Sequence, residues 1–314
     1  MKAVVTGAAG FIGSHLTERL LQDGHTVVGI DSFDTFYDPQ IKRRNIATAL
    51  SHSSFRLVEA DIRDRAAMER AIDGDVDVIV HLAARAGVRP SIEQPALYSD
   101  VNINGTVVLL EIARARRIGK FIFASSSSVY GNNKKVPFSE SDNVDFPISP
   151  YAATKKAGEL ICHTYHHLYG IGMTCLRFFT VYGPRQRPDL AIHKFARLIE
   201  AGKPIPIYGD GTMRRDFTYI DDIINGVVAA IDKCAGYHIY NLGESRPICV
   251  SDLIAEIEKA LGKKAIRNYL PAQPGDVDQT YADVARAHQE LGYHPATHIA
   301  TGLARFVAWL RAED

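Results

Sequence analysis

Short apolar, β-branched runs alternate along this chain with longer stretches whose apolar residues recur at helical spacing. The runs fall at Lys2–Thr6, Thr26–Ile30, Phe55–Glu59, Val76–His81, Lys120–Ala124 and Met173–Arg177. Between them lie amphipathic stretches at 11–23, 64–72, 95–116 and 150–169; in the first, Phe11, Ile12, His15, Leu16 and Leu20 form the apolar stripe. This alternation predicts an α/β fold, a doubly wound parallel sheet with helices on both faces. Beyond Arg177 the pattern loosens. Phe179 to Pro188 reads as loop, followed by a helix near 190–201, a short strand at Pro206–Tyr208 and a helix near 221–231. A strand near Tyr237–Asn241 is placed to rejoin the main sheet, and the tail carries helices near 251–261, 282–290 and 299–311. We expect a larger lobe over 1–177, with a returning segment near 218–242, and a smaller α/β lobe over 178–314. The cleft is expected at the carboxyl ends of the strands.

The first strand and helix are joined by Val4-Val5-Thr6-Gly7-Ala8-Ala9-Gly10-Phe11-Ile12-Gly13, and Asp31 closes the next strand. Gly7 permits the tight turn, Gly10 lets the backbone approach a pyrophosphate, and Gly13 lets helix and strand pack closely. The helix amino terminus then points at the anion. Strand, loop, helix, second strand and terminal carboxylate together predict a Rossmann-type dinucleotide site. A carboxylate at Asp31 accepts hydrogen bonds from a ribose diol and repels a 2′-phosphate, so NAD is favoured over NADP. Lys42-Arg43-Arg44 reads as a solvated loop face, with Lys42 a candidate to touch the ribose.

The bulk numbers narrow the class. A chain of 314 residues with 46% hydrophobic and 23% charged content is that of a globular protein able to bury a large core. Basic and acidic residues balance at 36 each, which speaks against a nucleic-acid or membrane-binding surface. No apolar run reaches membrane-span length, and the first residues read as a core strand rather than a signal peptide. Cys162, Cys175, Cys234 and Cys249 show no CxxC spacing and read as buried free thiols of a cytoplasmic protein. The histidines form no metal-binding pattern; His163, His166 and His167 read as a helix surface, and no metal is expected.

A second constellation carries chemistry. Ser149 and Pro150 open a helix in which Tyr151 and Lys155, four residues apart, project from one face. An ammonium beside a phenol, together with a positive nicotinamide ring, lowers the phenol's pKa by stabilising the phenolate. Upstream, the strand through Phe121–Ala124 runs into Ser125-Ser126-Ser127-Ser128-Val129-Tyr130-Gly131. That delivers hydroxyls to the carboxyl edge of the sheet, where Ser126 and Ser128 can share a substrate hydroxyl with Tyr151.

Taken together, the glycine cradle, the serine run before Val-Tyr-Gly and the Tyr-x-x-x-Lys resemble the extended short-chain dehydrogenase/reductase family, specifically its nucleotide-sugar epimerases. The likeness extends through Leu82-Ala83-Ala84-Arg85, Asn102-Ile-Asn-Gly-Thr, Arg215-Asp-Phe-Thr-Tyr-Ile-Asp-Asp and Pro274-Gly275-Asp276. It implies that Ser32 follows Asp31 at the cofactor and that Asp61 and Ile62 flank the adenine. Leu82, Ala83, Ala84 and Arg85 would line the cofactor with Asn102 and Ser125 behind it, and Phe178 and Val181 would lie against the nicotinamide. Pro206, Ile207 and Tyr208 would hold the base of a UDP group, Arg215 its diphosphate and Asp276 its ribose. It also implies a homodimer formed by helices near 95–116 and 150–169, whose apolar stripes serve equally well as core.

Family members remove hydride from C4 while tyrosine takes the O4 proton, giving a 4-keto sugar. Dehydratases and decarboxylases resemble one another in a glutamate two residues before the Val-Tyr-Gly tyrosine; here that residue is Ser128, which speaks against elimination. Ala86-Gly87-Val88-Arg89, Thr180-Val-Tyr-Gly-Pro followed by Arg187-Pro188-Asp189, and Gln273-Pro274-Gly275-Asp276 resemble UDP-glucuronate 4-epimerases. UDP-glucose 4-epimerases instead resemble one another in asparagine at the Thr180 position and arginine near Gln273. Ser127, Ser128 and Thr180 can donate to a C5 carboxylate, and Arg89 or Arg187 can supply charge. The expectation is therefore reversible C4 epimerisation of UDP-glucuronate to UDP-galacturonate on tightly bound NAD. The alternatives are a UDP-glucose or UDP-N-acetylhexosamine 4-epimerase and, after it, a nucleotide-sugar 4,6-dehydratase or decarboxylase.

Overall fold

A computed structural model describes residues 1–271 and 277–313. Its centre is a seven-stranded, wholly parallel sheet. The first six strands in chain order are β1 (Lys2–Thr6), β2 (Thr26–Asp31), β3 (Phe55–Glu59), β4 (Val78–His81), β5 (Lys120–Ser126) and β6 (Gly172–Phe178); the seventh is Tyr237–Leu242. Their spatial order is seventh, β6, β5, β4, β1, β2, β3, so the winding reverses between β1 and β4, and a crevice opens there beyond the strand ends. The apolar runs are continuous because both faces are covered. Val5, Val80 and Ile122 join the core beneath one layer of helices, and Val4, Ile79 and Phe121 the core beneath the other.

Helix α1 (Phe11–Gln22) follows β1, and helix Ile220–Asp232 packs against it, carrying the chain back to the seventh strand. Helix Pro150–Tyr169 starts as its sequence indicates, with Ser149 Oγ accepting from Ala152 N at 3.2 Å and Pro150 in the first turn. After β6, three small two-stranded ladders form: Thr180–Tyr182 with Phe217–Tyr219, Arg214–Arg215 with Ile248–Cys249, and Pro204–Tyr208 with Ile266–Leu270.

The structure departs from the expected pattern in several places, one being the strand Thr180–Tyr182 within the stretch expected as loop, formed because it pairs with Phe217–Tyr219. The 95–116 stretch is Pro95–Ser99, a π-helical turn at Asp100–Asn104, and Gly105–Ala115. The wide turn carries buried Asn102, whose amide holds both backbone groups of Arg85, a reason to interrupt the helix. Lys42-Arg43-Arg44 lies on a helix, Pro39–Asn45, capped by Asp38, and Lys42 is buried rather than solvated; Arg43 and Arg44 are exposed. Helix Val88–Glu93 was hidden by Pro90. The tail helix begins at Ala285 because Ala282 is drawn into a bridge with Phe138.

A charged pair sits inside the core. Glu159, fully buried on helix Pro150–Tyr169, accepts from Ser125 Oγ at 2.6 Å and from Arg177 Nε and Nη2 at 2.8 and 2.9 Å. Arg177 Nη1 donates to Tyr130 Oη at 3.0 Å, and that hydroxyl donates to Asn241 Oδ1 at 2.7 Å. Ser125, Arg177 and Asn241 are register neighbours across β5, β6 and the seventh strand, so one polar row joins three strands to the helix. Charge is tolerated there because the oppositely charged partner and further hydrogen bonds replace water. Glu159→Ala is expected to cost about 3–5 kcal/mol by leaving Arg177 buried and unpaired. Urea unfolding checks this, and a loss under about 1 kcal/mol would show the pair to be dispensable.

Candidate active site

A cleft of about 430 Å³ at the carboxyl ends of the strands receives side chains from both parts of the chain. Its floor is the glycine loop. Gly7 has φ +71°, and a Cβ there would lie 2.9 Å from Ala83 N. A Cβ at Gly13 would lie 2.0 Å from the Gly7 carbonyl oxygen, so helix and loop touch only because the side chain is missing. Phe11, Ile12 and Gly10 complete this wall. Asp31, buried at the end of β2, accepts from Ala9 N at 3.1 Å and Phe33 N at 2.9 Å. Burial pushes its carboxyl up in pKa, and Lys42, 3.9 Å away, opposes this together with those backbone donors. Each Asp31 oxygen keeps acceptor capacity for a ribose hydroxyl. Lys42 also donates to the Asp34 carbonyl at 3.0 Å. A loop that a Cβ would fill, a helix start and a carboxylate one strand over fit a dinucleotide.

Ser32, Asp61, Ile62, Leu82, Ala83, Ala84 and Arg85 line the same cleft. Asp61 is clamped by Arg63, whose far nitrogen reaches Asp100 at 2.6 Å. Asn102 is the exception among the cofactor candidates. It does not line the cleft, but holds Arg85 N and O at 2.8 and 3.0 Å and donates to Thr154 Oγ1 at 3.0 Å, fixing the wall from behind. Ser125, Phe178 and Val181 line the deeper end.

The reactive end holds Tyr151, Lys155 and the serine run. Lys155 is buried, donates to the Ala124 carbonyl at 2.7 Å, and lies 6.0 Å from the centre of the Tyr151 ring. Burial lowers its pKa to about 8, with Cys162 opposing weakly. The phenol is hydrogen-bonded to Ser126, and Ser126 Oγ donates to Ser128 Oγ at 3.1 Å while accepting from Ser128 N. The expected lowering of the phenol does not arise from the protein alone. Burial pushes Tyr151 up, and the opposing influences are Ser126 and Arg187 rather than Lys155, whose ammonium is turned to the Ala124 carbonyl.

Ser127, Ser128, Thr180 and Arg187 border this end. Arg187 is already paired with Asp189, Nε and Nη2 donating at 2.9 and 2.7 Å. Arg89, Pro206, Ile207, Tyr208 and Arg215 lie outside the cleft proper. Arg89 stacks over the Tyr208 ring at 4.4 Å, which brings two of them together. Strand alternation turns Ile207 into the core, leaving its backbone, with Pro206 and Tyr208, on the open side. Arg215 Nη1 donates to the Arg214 carbonyl at 2.9 Å. Gln273 and Asp276 lie outside the described residues. Among the described residues no group of three or more His, Cys, Asp or Glu is placed to hold a metal ion.

Several contributors escaped the sequence reading. Glu159 and Arg177 carried a signal, being opposite charges on otherwise apolar faces. Asp216 carried less: fully buried, it accepts from Glu244 N, Ser245 N and Ala282 N, while its own carbonyl accepts from Thr180 N at 3.1 Å. Asp34 and Phe36, which also line the cleft, sit in a loop with no pattern of its own.

This fold and site define a dinucleotide-dependent α/β enzyme. The sequence profile of the NAD dependent epimerase/dehydratase family matches residues 3–243, and the chain belongs to that family. It is 46% identical to UDP-glucuronate 4-epimerase 1 of Arabidopsis thaliana, over 98% of this chain and 76% of that protein. The crystal structure of UDP-glucuronic acid 4-epimerase from Bacillus cereus, in complex with UDP-glucuronic acid and NAD, superposes with a TM-score of 0.93 at 41% identity, each chain fully covered. UDP-glucose 4-epimerase of Thermotoga maritima, with UDP-glucose, gives 0.92 at 32% identity over 100% of this chain and 99% of that one.

Arg187→Met removes the charge that opposes the burial of the phenol. Turnover is expected to fall by about 10²-fold or more, and the limb on which rate rises with pH should move to higher pH, because a phenolate without that cation forms less readily. The pH–rate profile of both proteins checks this; an unmoved limb would separate Arg187 from the ionisation of Tyr151.

Proposed function

We propose that this protein interconverts UDP-glucuronate and UDP-galacturonate at C4. The observation that carries this reading is the composition of the cleft around Tyr151: Ser126, Ser127, Ser128 and Thr180 border it as hydroxyls, with Arg187 as the charge acting on the phenol. The name of the Arabidopsis relative and the UDP-glucuronic acid bound in the Bacillus cereus structure support it. NAD, held by the glycine loop, Asp31 and the wall through Arg85, supplies hydride acceptance and return at C4. Tyr151 takes the O4 proton and gives it back, Ser126 and Ser128 orient that hydroxyl, and Arg187 favours the phenolate while Lys155 stands beside the ring. Pro206, Tyr208 and the Ile207 backbone hold the base, Arg215 binds diphosphate, and Arg89 steadies the Tyr208 ring.

A uronate carries a hazard. Once C4 is a ketone the substrate is a β-keto acid, which loses CO2 when the bond to the carboxylate aligns with the carbonyl π system. Ser127, Ser128 and Thr180 hold the carboxylate as neutral donors in a non-aligned rotamer. An acid at position 128 would repel the carboxylate and assist elimination; serine does neither. A neutral UDP-hexose lacks the group these hydroxyls would bind, so UDP-glucose is expected to turn over poorly.

We further infer that the chain works as two lobes, 1–177 with its return near 218–242 and the remainder, and as a homodimer in the cytoplasm. Leu160 and Leu168 are 55% and 64% exposed on one stripe of helix Pro150–Tyr169, which suits a helical seam with a second copy. Among the described residues no helix is long and apolar enough to cross a membrane.

Purified protein given UDP-glucuronate and no added cofactor is expected to form UDP-galacturonate, identified by NMR, with deuterium at C4 retained. A UDP-pentose as main product would defeat the reading, and faster turnover of UDP-glucose would replace it with the neutral alternative. Tyr151→Phe should lose turnover by about 10²-fold or more while still holding NAD. Leu160→Glu should convert dimers to monomers in light scattering; an unchanged mass would place the seam elsewhere.

A further inference from the structure

A reaction that stores hydride between two half-reactions requires a dinucleotide that does not leave, and a loop across the cleft offers the means. The segment after β2 carries Phe36, which meets cations from two other segments of the chain. Its ring has the Arg85 guanidinium 5.6 Å away and the Arg187 guanidinium 5.3 Å away. Arg85 follows β4, and Arg187 belongs to the loops beyond β6. The contact with Arg85 joins the loops after β2 and β4, the two strands that flank β1, where the winding reverses and a dinucleotide site is expected.

The span is tied at each point. Asp34 accepts from Arg85 Nη1 at 2.9 Å, and Lys42 anchors the loop from beneath through the Asp34 carbonyl at 3.0 Å. Asp189 holds Arg187 by two hydrogen bonds and sets its guanidinium plane. All but Asp189 border the same cleft. Two guanidinium groups near one aromatic ring is a strong arrangement in a partly dry setting, because each cation meets the ring's negative face.

We propose that Phe36, between Arg85 and Arg187, is the clasp that retains the dinucleotide between half-reactions; this rests on the NAD reading above. Release requires the ring to part from at least one guanidinium. The loop therefore contributes to residence time rather than to proton or hydride transfer, and Phe36 is a positioning residue.

The test measures dinucleotide residence directly. Protein loaded with NADH is mixed with excess NAD, and the loss of bound NADH fluorescence gives the off-rate. Phe36→Ala should raise that off-rate about tenfold or more, as loss of two cation–π contacts implies, and turnover should come to depend on added NAD. Phe36→Tyr keeps the π face and should restore an off-rate within about twofold of the parent. Should the alanine variant fail to fold, Phe36→Leu, which keeps apolar volume and drops the π face, is read in the same way. An off-rate unchanged in Phe36→Ala, or equally raised in Phe36→Tyr, overturns the clasp. A parent protein that binds neither NAD nor NADH overturns instead the reading on which it rests.

Discussion

The buried pair of Glu159 and Arg177 is the contact on which the remaining geometry depends. Tyr151 and Lys155 are carried by one helix, while Ser125 and Ser126 are carried by β5. Nothing in either element alone sets the distance between them. Glu159 sets it, because it lies two turns beyond Tyr151 on the same buried face and grips both Ser125 and Arg177. A carboxylate with no water around it has little freedom to shift, since every lost bond would expose a charge to an apolar surround. The helix is therefore indexed against the sheet more tightly than apolar packing would achieve.

The same row extends the constraint to the substrate side. Through Tyr130 and Asn241 the pair reaches the carbonyls of Phe138 and Asp283. Asp216 then gathers the loop after the seventh strand and, through its own carbonyl, Thr180. Two buried carboxylates thus divide the work: one registers Tyr151 with the serines, the other registers Thr180 with the lobe expected to hold the nucleotide. Hydroxyls aimed by such fixtures can hold a carboxylate in one rotamer without contributing a charge of their own.

Much of this was legible in the residues. Strands buried on both faces appear as unbroken apolar runs, and the glycine loop announces itself because each glycine answers a separate steric demand. Tyr151 and Lys155 were found through helical spacing. Local pattern failed where a residue's role is set by something distant. Lys42 read as solvated because its neighbours Arg43 and Arg44 are; only the fold shows it turned inward toward Asp31. The wide turn at Asp100–Asn104 is invisible to periodicity, since its cause is Arg85, on another segment. The phenol's pKa was expected to follow Lys155, whose ammonium instead faces Ala124. Phe36 gave no signal, because a single aromatic in a loop is meaningful only once Arg85 and Arg187 are brought to it.

The late arrival of the seventh strand has a consequence for how the chain is made. β6 is buried along its whole length, partnered on one side by β5 and on the other by Tyr237–Leu242. Some 64 residues separate the ends of those strands, ~3–13 s of synthesis at about 5–20 residues per second. During that interval an apolar ribbon with unpaired amides stands open at the margin of a nearly finished sheet, a template for adhesion to neighbouring nascent chains. Hosts that produce this protein quickly should therefore lose more of it to inclusion bodies than hosts that translate slowly.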